Sequence, residues 1–339
     1  MSKTIRVGLI RCDTHGMWYG PLMAKHDPML LQRPPGCGEK EDSYSWQRGG
    51  LHMFFYAGYG DPMEMTVPFT EGFEIVKLWD VDRRAAEQSR AILLDVPEVC
   101  DTPDQCSDDV DLVMVCDCNY DGSDHLELAT PGLEKGVATY VDKPFADTVV
   151  NCRKMLDLAK QNDTPIFSAS ILRFQHEFVK FADRIQEIGE VNLATFSGYG
   201  TNPAGLVHTT SVTQLMFGSG ISTVQVMDNP KQTAVWLDYD DNPKAPKHGV
   251  MIHTQMGDRP RTGLAASVFG SLGDIHTLVL GDQQYPHGSA EILKTIKKMV
   301  ETGQNPVELD DMVEAIAVIE TFKKAQKSGQ PERVEQFLC

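Results

Sequence analysis

The chain has 339 residues, 41% of them hydrophobic, with 31 lysines and arginines against 48 aspartates and glutamates, a formal net charge of −17. This length and composition predict two domains with a core each. The acidic excess argues against nucleic acid or an anionic membrane surface as a partner, because both need a cationic patch. No apolar run is long enough to cross a bilayer and no charged-then-apolar leader begins the chain, so we expect a cytoplasmic protein.

Strand-like and helix-like segments alternate in the first half of the chain. Strands are predicted at 5–10, 73–79, 110–116, 138–141 and 164–170, and helices at 82–94, 125–133 and 148–161. This alternation predicts a mostly parallel, doubly wound, Rossmann-like sheet. We assign residues 1–146 to this domain, with an insertion at about 20–70.

In the second half, strands follow one another with few helices between them. They are predicted at 191–198, 223–226, 232–239, 249–255, 263–270 and 275–280, and a helix is predicted at 308–328. Such runs of strands indicate a mostly antiparallel sheet. We therefore predict a second domain at 147–339, whose last helix packs back on the first domain.

The segment Tyr-Val-Asp-Lys-Pro-Phe at 140–145 is a candidate for catalytic chemistry. The predicted topology brings Lys143 to the carboxyl edge of the parallel sheet, where open α/β sheets bind ligands. Proline restricts itself and its predecessor, so this lysine stands on a stiff turn. Such a lysine can point its ammonium at a reacting oxygen; an ordinary surface lysine is the alternative.

The order and spacing of these motifs resemble the glucose–fructose oxidoreductase and inositol dehydrogenase family (Gfo/Idh/MocA). Members typically show a Gly-rich first turn, an acidic end to strand two, a Pro-Asn…His step, Glu-Lys-Pro, an Asn-x-Arg-Phe-like segment and a histidine on a later helix. The corresponding positions here are Asp80, Cys118-Asn119…His125, Asp142-Lys143-Pro144, Ile171-Leu-Arg-Phe174 and Gly205-Leu-Val-His208. The resemblance covers nearly the whole chain except about 20–70.

The resemblance implies an NAD(P)-dependent oxidoreductase that acts on a sugar, a polyol or a related hydroxylated small molecule. NAD is favoured over NADP as the cofactor. It further implies that the second sheet is large and open, and that it builds a homodimer or homotetramer.

Family roles carry over to Lys143 and His208 as catalytic residues. Hydride transfer from an alcohol carbon needs a base for the hydroxyl proton and a cation for the developing negative charge. Family members commonly add an aspartate one helical turn before the histidine, where this chain has Ala204. Arg173 and Tyr199 are the predicted substrate contacts, although Tyr199 fits core or interface packing equally well.

The first turn departs from the family pattern. The usual Gly-x-Gly-x-x-Gly frame aligns with residues 11–16, where Arg11 and Asp13 replace two glycines and only Gly16 remains. A carboxylate about 5 Å from a phosphate charge costs roughly 3 kcal/mol at an effective dielectric of about 20, or about a hundredfold in affinity. Arg11 and the helix N-terminus could supply counter-charges. The standard pose of NAD is therefore disfavoured, while the fold is not.

Ten positions are predicted to contact the cofactor: Gly8, Arg11, Asp13, Thr14, His15, Gly16, Asp80, Asn119, His125 and Asp142. Asp80 has two interpretations, as an acceptor from the adenosine ribose, which favours NAD, or as a helix cap. Asp82 is the better candidate for the cap. No metal site is predicted, because a site needs three converging ligands.

The aromatic-rich insertion at about 20–70 has two interpretations, a lid over a carbohydrate-like ligand or a surface embellishment with its own small core. Two functions also remain open. The first is the NAD(P)-dependent oxidoreductase. The second is a relative that has lost hydride chemistry and acts as a binding protein or a non-redox enzyme on a carbohydrate-like ligand, which Arg11, Asp13 and Ala204 favour.

Overall fold

The computed structural model describes residues 3–12, 15–35, 51–56, 61, 63–117, 121–198, 203–229, 232–240, 242–254, 264–278, 280 and 284–338. Two sheets and the helices packed on them account for most of these residues. No helix among them combines the length and apolarity needed to cross a membrane.

The first sheet is parallel and doubly wound, as the sequence predicts. Its strands are β1 (Ile5–Ile10), β2 (Phe73–Trp79), β3 (Glu98–Val99), β4 (Leu112–Val115), β5 (Ala138–Val141) and β6 (Ile166–Phe167). They lie in the order β3-β2-β1-β4-β5-β6, and every pairing is parallel. The order reverses between β1 and β4, and ligands of such sheets bind outside the carboxyl ends of the strands at that reversal.

Seven helices accompany this sheet: α1 (Gly16–Met23), α2 (Pro28–Gln32), α3 (His52–Phe55), α4 (Arg83–Ile92), α5 (Pro103–Cys106), α6 (His125–Glu134) and α7 (Val149–Gln161). Side-chain caps begin two of the predicted helices. Asp82 accepts from the Arg84 N–H at the start of α4, and Thr148 accepts from the Asn151 N–H at the start of α7. Both caps satisfy backbone donors that the first helical turn leaves unpaired.

The second sheet has seven strands: β7 (Val191–Gly198), β8 (Ile221–Asn229), β9 (Gln232–Tyr239), β10 (Val250–Thr254), β11 (Ala265–Gly270), β12 (Asp274–His276) and β13 (Glu332–Arg333). Their order is β12-β11-β7-β10-β9-β8-β13. The pairings are antiparallel except that of β7 with β10, so the prediction of a mostly antiparallel sheet is confirmed.

The remaining helices are α8 (His176–Arg184), α9 (Pro203–Phe217), α10 (Tyr285–Thr302), α11 (Leu309–Ser328) and α12 (Glu335–Leu338), with 3-10 turns at Ile171–Phe174 and Ile185–Ile188. α11 packs on α9 and β8 and also contacts α7. There, the backbone N–H of Val149 donates to Glu320 at 2.8 Å. The contact with α7 joins the chain's last long helix to the helix that precedes β6.

Two predicted strands are shorter than the sequence pattern indicates. The strand predicted at 164–170 is reduced to β6, whose outer edge is covered because the Ile166 N–H donates to Asn305 Oδ1 at 2.8 Å. The strand predicted at 275–280 ends at His276, because Thr277 Oγ1 accepts the Ala266 N–H at 2.7 Å in place of a strand carbonyl. β6 still belongs to the first sheet, beyond the predicted domain boundary at 146, and that boundary stays a prediction.

Aromatic residues of the described part of the insertion pack against α1 and, through Trp18, lie near α10. The Trp18 ring lies 4.5 Å from that of Phe54 and 5.4 Å from that of Tyr285 on α10, between ring centroids. Leu51, Phe54 and Phe55 are buried. The aromatic residues Tyr44, Trp46 and Tyr59 of the insertion lie outside the described residues, so both interpretations of the insertion stay open.

Candidate active site

Lys143 lies on the turn after β5, at the carboxyl edge of the first sheet. Phe145 and Ala146 are buried directly after it and anchor the turn. The Lys143 side chain is half-buried, and its ammonium has no hydrogen bond or ion pair with the described part of the chain. An ammonium offers three donors, so one left without a protein partner at a sheet edge is suited to bind an oxygen of a ligand.

His208 lies on α9 and is buried, with 5% of its surface exposed. Its Nδ1 is 2.8 Å from Ser170 Oγ, which also accepts from the Leu172 N–H at 3.3 Å. Burial holds the pKa of His208 well below its usual value, and the positive charges of Lys143 and His15 act in the same direction. The structure therefore brings the two predicted catalytic residues into electrostatic range of each other, one from each sheet region.

Asp142 links the first turn to the Lys143 turn. Its carboxylate pairs with His15 Nδ1 and accepts a hydrogen bond from Tyr140 Oη at 3.4 Å, and Tyr140 Oη in turn lies 2.8 Å from Tyr19 Oη. Burial acts to raise the pKa of Asp142, but His15 and Lys143 outweigh it, so the pKa is lowered. Asp142 thus stays ionised and orients His15.

Arg11 occupies the position of the first glycine with a glycine-like backbone. Its φ is 70°, in the left-handed region that most side chains avoid. The close approach that glycine permits is also retained at Gly16, where a Cβ would lie 2.4 Å from the Arg11 carbonyl oxygen. At these two positions the backbone therefore keeps the features that glycines supply in a phosphate-binding turn.

The Arg11 guanidinium contacts three carboxylates, two of which follow β2 and β4 while the third precedes α6. Its nitrogens lie 2.8 Å from Asp117 Oδ1, 3.2 Å from Asp124 Oδ2 and 3.7 Å from Asp80 Oδ2. The Arg11 side chain is 11% exposed. One positive charge therefore faces three carboxylates inside the crevice.

The Asp80 carboxylate accepts hydrogen bonds from the backbone after β1 and after β2. Its Oδ2 accepts the Cys12 N–H at 2.7 Å and its Oδ1 accepts the Asp82 N–H at 2.9 Å. The side chain has no exposed surface. Burial raises the pKa of Asp80, and Arg11 opposes this. As arranged, Asp80 presents no exposed oxygen to a ribose, while Asp82 is confirmed as the helix cap.

A dinucleotide in the standard pose would have to displace contacts that the chain makes with itself around Arg11. Gly16 permits a close approach of the backbone, but three carboxylates contact Arg11, and both oxygens of Asp80 accept backbone N–H groups. Lys143 differs from Arg11, because its ammonium has no hydrogen bond or ion pair with the residues that the structure describes.

The other predicted site residues have mixed surroundings. His125 is buried, with its Nδ1 3.3 Å from the Phe145 carbonyl oxygen. Arg173 Nη1 lies 2.6 Å from Asp311 on α11. A Cβ at Gly8 would lie 2.1 Å from the Cys106 carbonyl oxygen, so the glycine permits β1 to pack on α5. The predicted residues Asp13, Thr14, Asn119 and Tyr199 lie outside the described residues.

Three residues near the site were not identified from the sequence as functional: Tyr19, Tyr140 and Ser170. Tyr140 lies in the motif before Lys143, and Ser170 ends a predicted strand, so their positions were visible. Their roles were not visible, because the partner of Ser170 is an imidazole 38 residues away and that of Tyr140 is a hydroxyl 121 residues away, and only the packing of separate elements brings them together.

Residues 56–170 match the family model GFO_IDH_MocA, described as an oxidoreductase family with an NAD-binding Rossmann fold. The match lies in the region of the first sheet, and over these residues the sequence-based recognition of the family is confirmed. The chain matches no curated protein sequence.

Solved structures of similar fold include inositol dehydrogenases. The apo scyllo-inositol dehydrogenase of Lactobacillus casei is 11% identical with a TM-score of 0.73, over 98% of this chain and 99% of that one. The myo-inositol dehydrogenase of Corynebacterium glutamicum is 14% identical with a TM-score of 0.69, over 97% and 98%. That of Lactobacillus casei in complex with NAD(H) and myo-inositol is 13% identical with a TM-score of 0.69, over 97% and 96%. At these identities the likeness shows the shared fold.

Proposed function

We propose that the chain is an oxidoreductase that transfers a hydride between NAD and a sugar, polyol or related hydroxylated small molecule. The observation that carries the proposal is the Lys143 ammonium, which has no partner among the described residues and lies within electrostatic range of the buried His208. The family model supports the reaction class. The myo-inositol complex of a similarly folded protein supports a sugar-like substrate by analogy.

Within this proposal, bound NAD would supply the hydride acceptor, and the chain's own residues manage the proton. The low pKa of His208 keeps its imidazole neutral at neutral pH, which is the form that can accept a hydroxyl proton. Lys143 stabilises negative charge on the substrate oxygen as it develops. Ser170 holds the His208 ring through Nδ1 and so orients the base.

The test replaces Lys143 with methionine, which keeps the length of the side chain and removes its charge. We expect Lys143→Met to lower kcat by about a hundredfold or more while NAD binding, measured by calorimetry, is retained. Lys160→Met is the matched control, because Lys160 is an exposed lysine on α7. Turnover is followed as NADH formation with a panel of inositols, sugars and polyols.

The oxidoreductase proposal fails if the purified chain carries no nucleotide and shows no binding heat with NAD or NADP at about millimolar concentration, where even weak ligands bind. Equal activity of Lys143→Met and the parent chain would remove Lys143 from the mechanism. NADP binding tighter than NAD binding would reverse the proposed cofactor preference.

The Arg11 cluster favours a second candidate, a relative without hydride chemistry that binds or transforms a carbohydrate-like ligand. Three carboxylates around Arg11 disfavour a diphosphate in the standard position. This candidate predicts that ligand affinity is the same with and without NAD. NADH oxidation in the presence of any sugar aldehyde or ketone would eliminate it.

A further inference from the structure

Two carboxylates and an imidazole converge where β4 leads into α6. Ligand atoms of Asp117, Asp124 and His125 all lie within 4.8 Å of one another. Asp117 and His125 are buried, with 1% and 0% of their surfaces exposed. Asp117 follows β4 at its carboxyl end, and His125 is the first residue of α6. The cluster therefore stands at the crevice where the strand order of the first sheet reverses.

The orientation of His125 is a second, independent observation that points to a cation at this place. Its Nδ1 lies 3.3 Å from the Phe145 carbonyl oxygen, which can only accept, so Nδ1 carries the hydrogen. In the neutral ring, Nε2 then presents its lone pair. This nitrogen is buried without a hydrogen-bond partner in the described part of the chain and lies 3.9 Å from Asp117 Oδ2. A lone pair facing a carboxylate oxygen is repelled unless a cation stands between them.

Arg11 does not fill this role. Its guanidinium contacts Asp117 through Oδ1, whereas Oδ2 is the oxygen that faces His125. It also contacts Asp124 through Oδ2. At Asp117 the arginine therefore approaches the oxygen that is turned away from His125, and it can remain in place as a neighbour when a second cation binds.

We propose that Asp117, Asp124 and His125 bind a divalent transition-metal ion. A donor set of two carboxylates and one imidazole suits Mn²⁺, Fe²⁺, Co²⁺ or Zn²⁺ better than Ca²⁺ or Mg²⁺, which prefer oxygen alone. Donation from Nδ1 to a backbone carbonyl is also how metal-binding histidines are commonly oriented. A bound ion would offset the surplus of carboxylates around Arg11.

The experiment titrates Mn²⁺ into the chelator-treated full-length chain without nucleotide and follows free Mn²⁺ by electron paramagnetic resonance. We expect one ion per chain. Asp124→Asn should weaken binding by at least about tenfold. Glu127→Gln is the matched control, because it removes the same charge from an exposed position of α6 and should leave binding unchanged.

Co²⁺ provides a second readout that depends on the imidazole. The visible spectrum of the Co²⁺-loaded chain should change in His125→Gln, and circular dichroism shows whether each variant folds. If His125→Gln does not fold, the comparison of Asp124→Asn with Glu127→Gln decides. The proposal would be overturned if the unmodified chain bound neither Mn²⁺ nor Co²⁺ stoichiometrically. It would also be overturned if Asp124→Asn and Glu127→Gln weakened ion binding equally. Because no NAD is present, these outcomes are independent of the proposed hydride transfer.

Discussion

The two cationic side chains of this crevice, Lys143 and Arg11, differ in whether carboxylates contact them. The Lys143 ammonium has no partner among the described residues, whereas the Arg11 guanidinium contacts three carboxylates. Both residues lie at the carboxyl edge of the same sheet. The difference arises from their neighbours, because Asp80, Asp117 and Asp124 converge on Arg11, while Lys143 lies within electrostatic range of the buried His208.

The low pKa of His208 predicts a pH dependence of stability. The folded chain binds a proton at His208 less readily than the unfolded chain, so its contribution lowers the free energy of unfolding as pH falls below the ordinary histidine pKa of about 6.5. We expect His208→Gln to remove this contribution, so that the free energy of unfolding falls less steeply with decreasing pH, by up to about 1.4 kcal/mol per pH unit. Urea unfolding of both chains between about pH 7 and about pH 5 measures the difference. Parallel declines would contradict the prediction.

At the scale of elements, buried polar side chains join helices to strands in the second half. Glu314 on α11 is 7% exposed, and its carboxylate accepts the backbone N–H groups of Gly220 and Ile221 at 2.6 and 3.0 Å. It also accepts from Gln214 Nε2 on α9 at 2.7 Å. One side chain thus ties α11 to α9 and to the start of β8, next to the helix that carries His208.

Glu314→Ala should destabilise the chain by about 2–4 kcal/mol, because it leaves two backbone donors and one amide without their charged acceptor. The comparison variant is Glu301→Ala, since Glu301 is exposed on α10 and its loss should change stability by less than about 0.5 kcal/mol. Chemical denaturation followed by circular dichroism gives both values. Similar losses for the two variants would show that the Glu314 contacts are not the cause.

On the scale of the whole molecule, the two sheets differ in how they are covered. All four residues of β4 and all four of β5 are buried. In the second sheet, Val250 and Ile252 point to a buried face, while Met251 and its cross-strand neighbour Trp236 lie half-buried on the opposite face. An apolar sheet face of this kind is suited to a subunit contact.

The family resemblance implies a homodimer or homotetramer through the second sheet, and the face around Met251 and Trp236 makes this testable. We expect Met251→Glu to shift the chain towards the monomer in light scattering, because an interface core excludes an unpaired carboxylate. Val150→Glu places the same substitution on α7, at a residue that is 61% exposed, and should leave the mass unchanged. A monomeric parent chain at the same concentration would contradict the prediction.

Local sequence patterns predicted the bounds of several strands correctly but missed one long helix. The bounds of β2, β5, β7 and β9 coincide with the predicted ranges 73–79, 138–141, 191–198 and 232–239. The 18-residue helix α10 was not predicted. It begins Tyr-Pro-His-Gly, a weak helical signal, and Gly288 is explained only by packing, because a Cβ there would lie 2.5 Å from the Ile171 carbonyl oxygen.

The amino-acid sequence by itself indicated the family resemblance, the doubly wound first sheet, the mostly antiparallel second sheet and the candidates Lys143 and His208. These follow from periodicity and from motif order, which are properties of neighbouring residues. Only the tertiary structure decided that Arg11 is paired with Asp80, Asp117 and Asp124, and that His125 turns Nε2 towards Asp117. These charged partners are far apart in the sequence. They become neighbours only when the ends of β1, β2 and β4 meet at one edge of the folded sheet.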